Sequence, residues 1–102
     1  MQYSVNATAL EREFKISGDF SAADENAFFD IFMQIKRQFE PQVVFELSEC
    51  TSVDSAAAGM LIVACEEAAK RNLIRVLRNV PENVGEFLKT SGLENCYHFQ
   101  KT

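Results

Sequence analysis

The sequence predicts an α/β fold, a mixed β-sheet that is parallel at its centre and has helices packed on it. Short runs of β-branched and aromatic residues alternate with longer segments whose apolar residues recur every three or four positions. The predicted order is β, β, α, β, α, β, α, followed by a candidate edge strand. Strands joined through helices become parallel neighbours in a sheet, so we expect residues 1–102 to form one domain around one core.

The composition is that of an ordinary globular protein. Apolar residues make up 47% of the chain and charged residues 25%. The net charge is −5 and the cations are scattered or lie at helix ends, so we expect no nucleic-acid partner. Nine Phe and no Trp predict a core closed largely by phenyl rings.

Cysteine usage and apolar run length indicate a reduced, cytoplasmic, soluble domain. The three cysteines lack CxxC spacing, which argues against a disulfide framework or a zinc site, and we expect no metal or cofactor. Cys65 lies in an apolar helical run and reads as a small core residue. No secretory signal is visible at the start, and the apolar stretch 56–65 is too short to insert across a bilayer.

The first half of the chain predicts a hairpin, a helix and a buried strand. Residues 3–8 and 13–16 alternate between apolar and polar, and Gly18-Asp19 is predicted to end the second strand. Ser21, with Asp24 three residues later, predicts a capped helix start. The apolar stripe of that helix comprises Phe28, Ile31, Phe32, Ile35 and Phe39, and the helix ends near Glu40 ahead of Pro41.

Phe29 and Met33 lie beside this stripe, where they either widen the core face or form a small exposed apolar patch. Both alternatives stay open from the sequence.

The second half predicts a parallel strand pair joined through a helix. Residues 42–48 form a central strand, residues 55–71 a helix that Asn72 ends, and residues 73–77 the next strand. Glu66 and Lys70 are spaced to pair on the helix surface. A third helix starts at Pro81, buries Val84, Phe87 and Leu88, and stops at Gly92, with Leu93 packed back over its end. Residues 97–100 form the candidate edge strand.

The most informative segment is Val53-Asp54-Ser55-Ala56, where a polar loop becomes a helix. Asp54 or Ser55 can cap the helix by accepting a backbone N–H bond. A hydroxyl at this position also lies where free N–H groups and the helix dipole favour an anion such as a phosphate. The small residues from Ala56 to Gly59 either let a partner approach closely or let the helix pack tightly on the sheet.

No arrangement of residues supports catalysis. His98 is the only histidine and has no companion nucleophile at motif distance, and the four glycines match no nucleotide-binding pattern. We therefore expect the chain not to be an enzyme.

Nearly the whole chain resembles a STAS domain of the bacterial anti-sigma factor antagonist type. The resemblance rests on Gly18-Asp19-Phe20, on Val53-Asp54-Ser55 and on the segment from Pro81 to Leu93. The most specific family motif is Asp-Ser/Thr-x-Gly-x-Gly, in which Ala57 replaces the first glycine and Gly59 keeps the second. Ser21 stands where the family often has an acidic residue. The resemblance implies a STAS-like sheet and makes Ser55 the phosphoacceptor.

The implied function is a regulatory switch without catalytic activity. A partner serine kinase of the anti-sigma factor type would phosphorylate Ser55 and a serine phosphatase would reverse this. Partner binding, in the unphosphorylated form, would use Asp54, Ser55, Ala56, Gly59 and Ser21. Control of a sigma factor or of a biofilm or secretion regulator are two versions of this switch. The alternative is a STAS subunit of an ABC-type lipid-transport complex that binds an ATPase subunit without needing a phosphate.

Overall fold

The computed structural model describes residues 1–102 and contains five strands and three helices. Two 3₁₀ turns, Ala22–Asp24 and Leu93–Asn95, precede the first helix and the last strand. No helix is both long and apolar enough to cross a membrane. In chain order the elements are β1 (Gln2–Ala7), β2 (Glu11–Phe20), α1 (Glu25–Arg37), β3 (Gln42–Val53), α2 (Ser55–Lys70), β4 (Ile74–Arg78), α3 (Glu82–Thr90) and β5 (His98–Gln100).

The strands lie side by side in chain order, β1-β2-β3-β4-β5. β1 and β2 form the predicted antiparallel hairpin, and every later pair is parallel. Phe14 of β2 is level with Phe45 of β3, and Phe45 is level with Leu77 of β4. The predicted α/β class, with a mixed sheet parallel at its centre, is confirmed.

The core lies between one face of the sheet and the three helices. Phe45 is at its centre, with ring centroids 5.7 Å from Phe14 and 5.9 Å from Phe28. The Tyr97 ring meets Phe45 edge-on, and its buried hydroxyl donates a 2.6 Å hydrogen bond to the Leu61 carbonyl. All three helices and strands β2, β3 and β4 contribute to this one cluster. Stacked phenyl rings close the core, as the composition predicted.

The opposite face of the sheet carries a charged network instead of helices. The Arg78 guanidinium lies 2.8 Å from a Glu11 carboxylate oxygen and 3.0 Å from one of Glu13, and it donates to the Gln100 side chain at 2.8 Å. One arginine on β4 therefore ties together β2 and β5 across this face.

The prediction that Gly18-Asp19 ends the second strand is wrong. β2 continues to Phe20, because Gly18 adopts a φ of +82° and the pairing with β3 shifts between Gly18 and Asp19. Glycine takes this backbone conformation at little cost, so the irregularity bends the strand without ending it.

The helix predictions also need five corrections. α1 ends at Arg37, before Glu40, and Phe39, placed in the buried stripe, is 99% exposed. Phe87 of α3 is exposed, so the buried face of that helix is formed by Val84 and Leu88. Pro81 is the N-cap residue that precedes α3 and is not part of the helix. Glu66 and Lys70 form no ion pair within 4.0 Å.

The predicted helix ends at Asn72 and Gly92 are confirmed. Asn72 has a φ of +57° and Gly92 a φ of +89°, the left-handed conformation that commonly stops a helix. Leu93 is fully buried behind Gly92, as expected.

Candidate functional site

Ser55 is the first residue of α2, at the edge of the sheet where the parallel strands end. The preceding residue, Asp54, has extended backbone and caps the helix, with Oδ1 accepting from the Ala57 N–H at 2.8 Å. Ser55 is exposed. The sequence left open which of the two residues caps the helix, and the structure assigns the cap to Asp54.

Asp54 also connects this helix start to the loop after β2. Its second carboxylate oxygen accepts a 3.1 Å bond from the Ala22 N–H, and its own N–H donates to the Phe20 carbonyl at 3.3 Å. The site is therefore built from two chain segments held together through one aspartate.

Ser21 belongs to the second of these segments but caps its own turn. Its hydroxyl accepts from the Ala23 N–H at 3.3 Å, and the Asp24 carboxylate accepts from the Ser21 N–H at 2.8 Å. The predicted capping box is present, although it opens the 3₁₀ turn Ala22–Asp24 and α1 follows directly after it.

Asp19 also lies at this edge, although the sequence named it only as part of a predicted strand end and of the Gly18-Asp19-Phe20 match, with no role in the site. Its Oδ1 accepts hydrogen bonds from the Thr51 hydroxyl at 2.6 Å and the Ser52 hydroxyl at 2.8 Å. These hydroxyl bonds lower the pKa of the Asp19 carboxyl from its ordinary value. With Asp54, it gives this edge two carboxylates, a poor environment for binding a free anion.

The small residues at the start of α2 have two different roles. Ala57 and Ala58 are buried against the sheet, whereas Ala56 is exposed and Gly59 partly so. A Cβ atom added at Gly59 meets no other atom within 4 Å. The packing interpretation is confirmed for the two buried alanines, and approach of a partner at the accessible Ala56 and Gly59 stays a prediction.

A groove runs between α1 and α2 from the start of α2 and has a volume of about 610 Å³. We call it the α1–α2 groove. Phe29, which the sequence left undecided, is 60% exposed on it, whereas Met33 is half-buried elsewhere. Its lining residues are mainly apolar: Glu25, Phe28, Phe29, Phe32, Ala56, Gly59, Met60 and Val63.

Residues 4–100 match the family described as Mlab, STAS domain. The chain belongs to the STAS domain family. No curated protein sequence matches it significantly.

Solved structures similar to this STAS domain include several anti-sigma factor antagonists. A candidate antagonist from Thermotoga maritima superposes with a TM-score of 0.87 at 14% identity, over 98% of this chain and 86% of that one. Unphosphorylated SpoIIAA gives 0.81 at 16% identity, over 96% and 87%. A serine-to-glutamate variant of RsbS from Moorella thermoacetica gives 0.83 at 16% identity, over 100% and 88%. At these identities the likeness establishes the fold.

Proposed function

We propose that this STAS domain is a non-catalytic regulatory switch of the anti-sigma factor antagonist type, controlled by reversible phosphorylation of Ser55. The observation that carries the proposal is the division of roles at the start of α2. Asp54 makes the cap and Ser55 is exposed, so the Ser55 hydroxyl is accessible to a kinase at no cost to the helix. SpoIIAA, a structural relative, is known in phosphorylated and unphosphorylated forms.

A phosphate on Ser55 would be tolerated by α2. The N–H groups of the first helical turn and the helix dipole stabilise an anion there, while the Asp54 carboxylate opposes it. The modification adds about −1.5 to −2 charges at neutral pH. The fold therefore persists, and the change acts on the surface that a partner meets.

The unmodified form is the binding form in this proposal. Asp54, Ser55, Ala56 and Gly59 lie at the beginning of α2, and Ser21 lies in the loop that Asp54 holds against it. A partner that covers this surface removes Ser55 from water, so a phosphate there would be desolvated beside the Asp54 carboxylate. Phosphorylation by a serine kinase of the anti-sigma factor type releases the complex, and a serine phosphatase restores it.

Intact-mass measurement of the chain purified from its own cells tests the phosphorylation. We expect a phosphate-sized increment that Ser55→Ala removes and Ser52→Ala, a matched change at a neighbouring exposed serine, retains. The copurified kinase should bind Ser55→Ala more tightly than Ser55→Asp. A phosphate mapped to another residue, or equal affinities, contradicts the switch.

The second candidate function is a subunit that binds the ATPase of a lipid-transport complex. The α1–α2 groove favours it, because an apolar surface next to Ser55 suits a lasting complex that needs no phosphate. A stable, unmodified complex with an ATPase, unchanged by phosphatase treatment, would favour this function over the switch.

A further inference from the structure

α1 has a second apolar stripe that the core does not use. Its inward stripe is formed by Phe28, Ile31 and Ile35, all buried. Phe32, which the sequence placed with the inward stripe, is only partly buried and forms the outward stripe together with Phe29, which is 60% exposed. The outward stripe of α1 and the α2 residues that face it are the walls of the α1–α2 groove. Apolar side chains that lie uncovered next to one another form a patch, and such a patch marks an interaction surface where a single exposed ring does not.

Charges of opposite sign lie at the two ends of this outward stripe. Glu25 is one turn before Phe29, and Lys36 is one turn after Phe32; both are exposed. The spacing 25, 29, 32, 36 follows the alternating four- and three-residue steps of a coiled-coil seam. When two such stripes pack antiparallel, each Glu25 meets a Lys36 and the two helix dipoles point in opposite directions. Laid parallel, like charges meet instead.

The shape of the groove is also self-complementary. Phe29 protrudes from the α1 wall. On the α2 wall, a Cβ atom added at Gly59 would meet no neighbouring atom within 4 Å, so there is free space at this position. Val63, 50% exposed, continues the α2 wall beyond Met60. A two-fold axis places the protruding ring of each copy over the open floor of the other, which is the symmetry of most homodimers.

We propose that the α1–α2 groove is a homodimer interface whose occupant is the same groove of a second copy, with the two α1 helices antiparallel. Phe29, Phe32, Met60 and Val63 form its apolar centre, and Glu25 of each copy pairs with Lys36 of the other. The groove includes Ala56 and Gly59, which also belong to the proposed partner surface, so a dimer and a partner complex would exclude each other. The test below measures self-association of the unmodified chain alone, so a failure of the dimer is distinguishable from a failure of the switch.

Sedimentation equilibrium of the purified chain, from micromolar to near-millimolar concentration, tests this interface. We expect the average mass to rise with concentration toward twice the monomer mass. Phe29→Ser should weaken association about tenfold or more, as removal of a central aromatic anchor does. Phe39→Ser, the same change at a ring that is 99% exposed outside the groove, should leave association unchanged.

Charge exchange tests the antiparallel arrangement. Glu25→Lys and Lys36→Glu should each weaken association, and the double variant should restore it, because the interchanged pair again joins opposite charges. Circular dichroism checks that each variant folds. A wild-type chain that remains monomeric throughout, or that dimerises equally after Phe29→Ser, overturns the proposal, as does a double variant no better than the singles. Tight binding of a different protein to a monomeric wild type would assign the groove to that partner.

Discussion

The carboxylate of Asp54 accepts a 3.1 Å hydrogen bond from the backbone N–H of Ala22, 32 positions earlier in the chain. The same side chain caps α2 through the Ala57 N–H. Two loops that belong to different crossovers thus share one acceptor, and the surface around Ser55 depends on it.

We therefore expect Asp54→Ala to lower the free energy of unfolding by about 1–2 kcal/mol, since it removes a helix cap and a second hydrogen bond. Ser55→Ala, one position later and outside the cap, should change it by less than about 0.5 kcal/mol. Urea denaturation followed by circular dichroism measures both. Equal effects of the two substitutions would show that the cap is shared.

Gly59→Ala should stabilise the protein by about 0.5–1 kcal/mol, because alanine is the better helix former and the added methyl group meets no neighbour within 4 Å. The control is Gly92→Ala, which also meets no neighbour but lies at a φ of +89°. That substitution should destabilise by about 1–2 kcal/mol through backbone strain alone. Thermal melting of the two variants checks the opposite signs, and a shift in the same direction would contradict them.

The ion pair between Glu11 and Arg78 predicts an acid-dependent loss of stability. The hydrogen bond from Arg78 lowers the pKa of Glu11 below its ordinary value of 4.5. Stability from a lowered carboxyl pKa is complete above the unfolded value and disappears as the pH falls through the folded one. Glu11→Gln should therefore be less stable than wild type near neutral pH, with the gap closing below pH 4.5. A gap that is constant with pH would mean that the pair contributes no charge-dependent stability.

Thiol labelling should distinguish the three cysteines. Burial raises the pKa of Cys65 to about 11 and also raises that of Cys50, so neither forms a thiolate readily near neutral pH. Cys96 is only half-buried. An aromatic disulfide reagent should modify Cys96 first, and Cys96→Ser should remove that fast phase, while the other two react on unfolding. Fast reaction of two thiols in the folded protein would contradict the burial of Cys50 or of Cys65.

The sequence predicted the arrangement of strands and helices because apolar periodicity reports directly on which face of an element is covered. The same signal does not fix where that face ends. Phe29 follows the buried Phe28 by one position and lies on the groove, and Phe39 falls beyond the last helical turn. β2 was predicted too short because a glycine in a sequence usually indicates the end of a strand, whereas here the strand continues beyond a register shift.

The sequence indicated which segment carries the candidate site but not the contacts within it. Asp54 and Ser55 are both good caps, and only the backbone conformation at Asp54 decides between them. The contacts of Asp54 with Ala22 and of Asp19 with Thr51 join residues about thirty positions apart. They follow from the register of β2 against β3, which a pattern of residue types does not contain.

The strands occupy the sheet in the order in which the ribosome makes them, β1 through β5. Each new strand is added at the free edge left by the previous one, and none has to be inserted between two strands already paired. The hairpin of β1 and β2 closes first through a short loop, and each later strand arrives with its helix to cover it. Assembly can therefore keep pace with synthesis from the N-terminal end, and a chain stalled part-way exposes a single unfinished edge, since β1 is an edge of the complete sheet too.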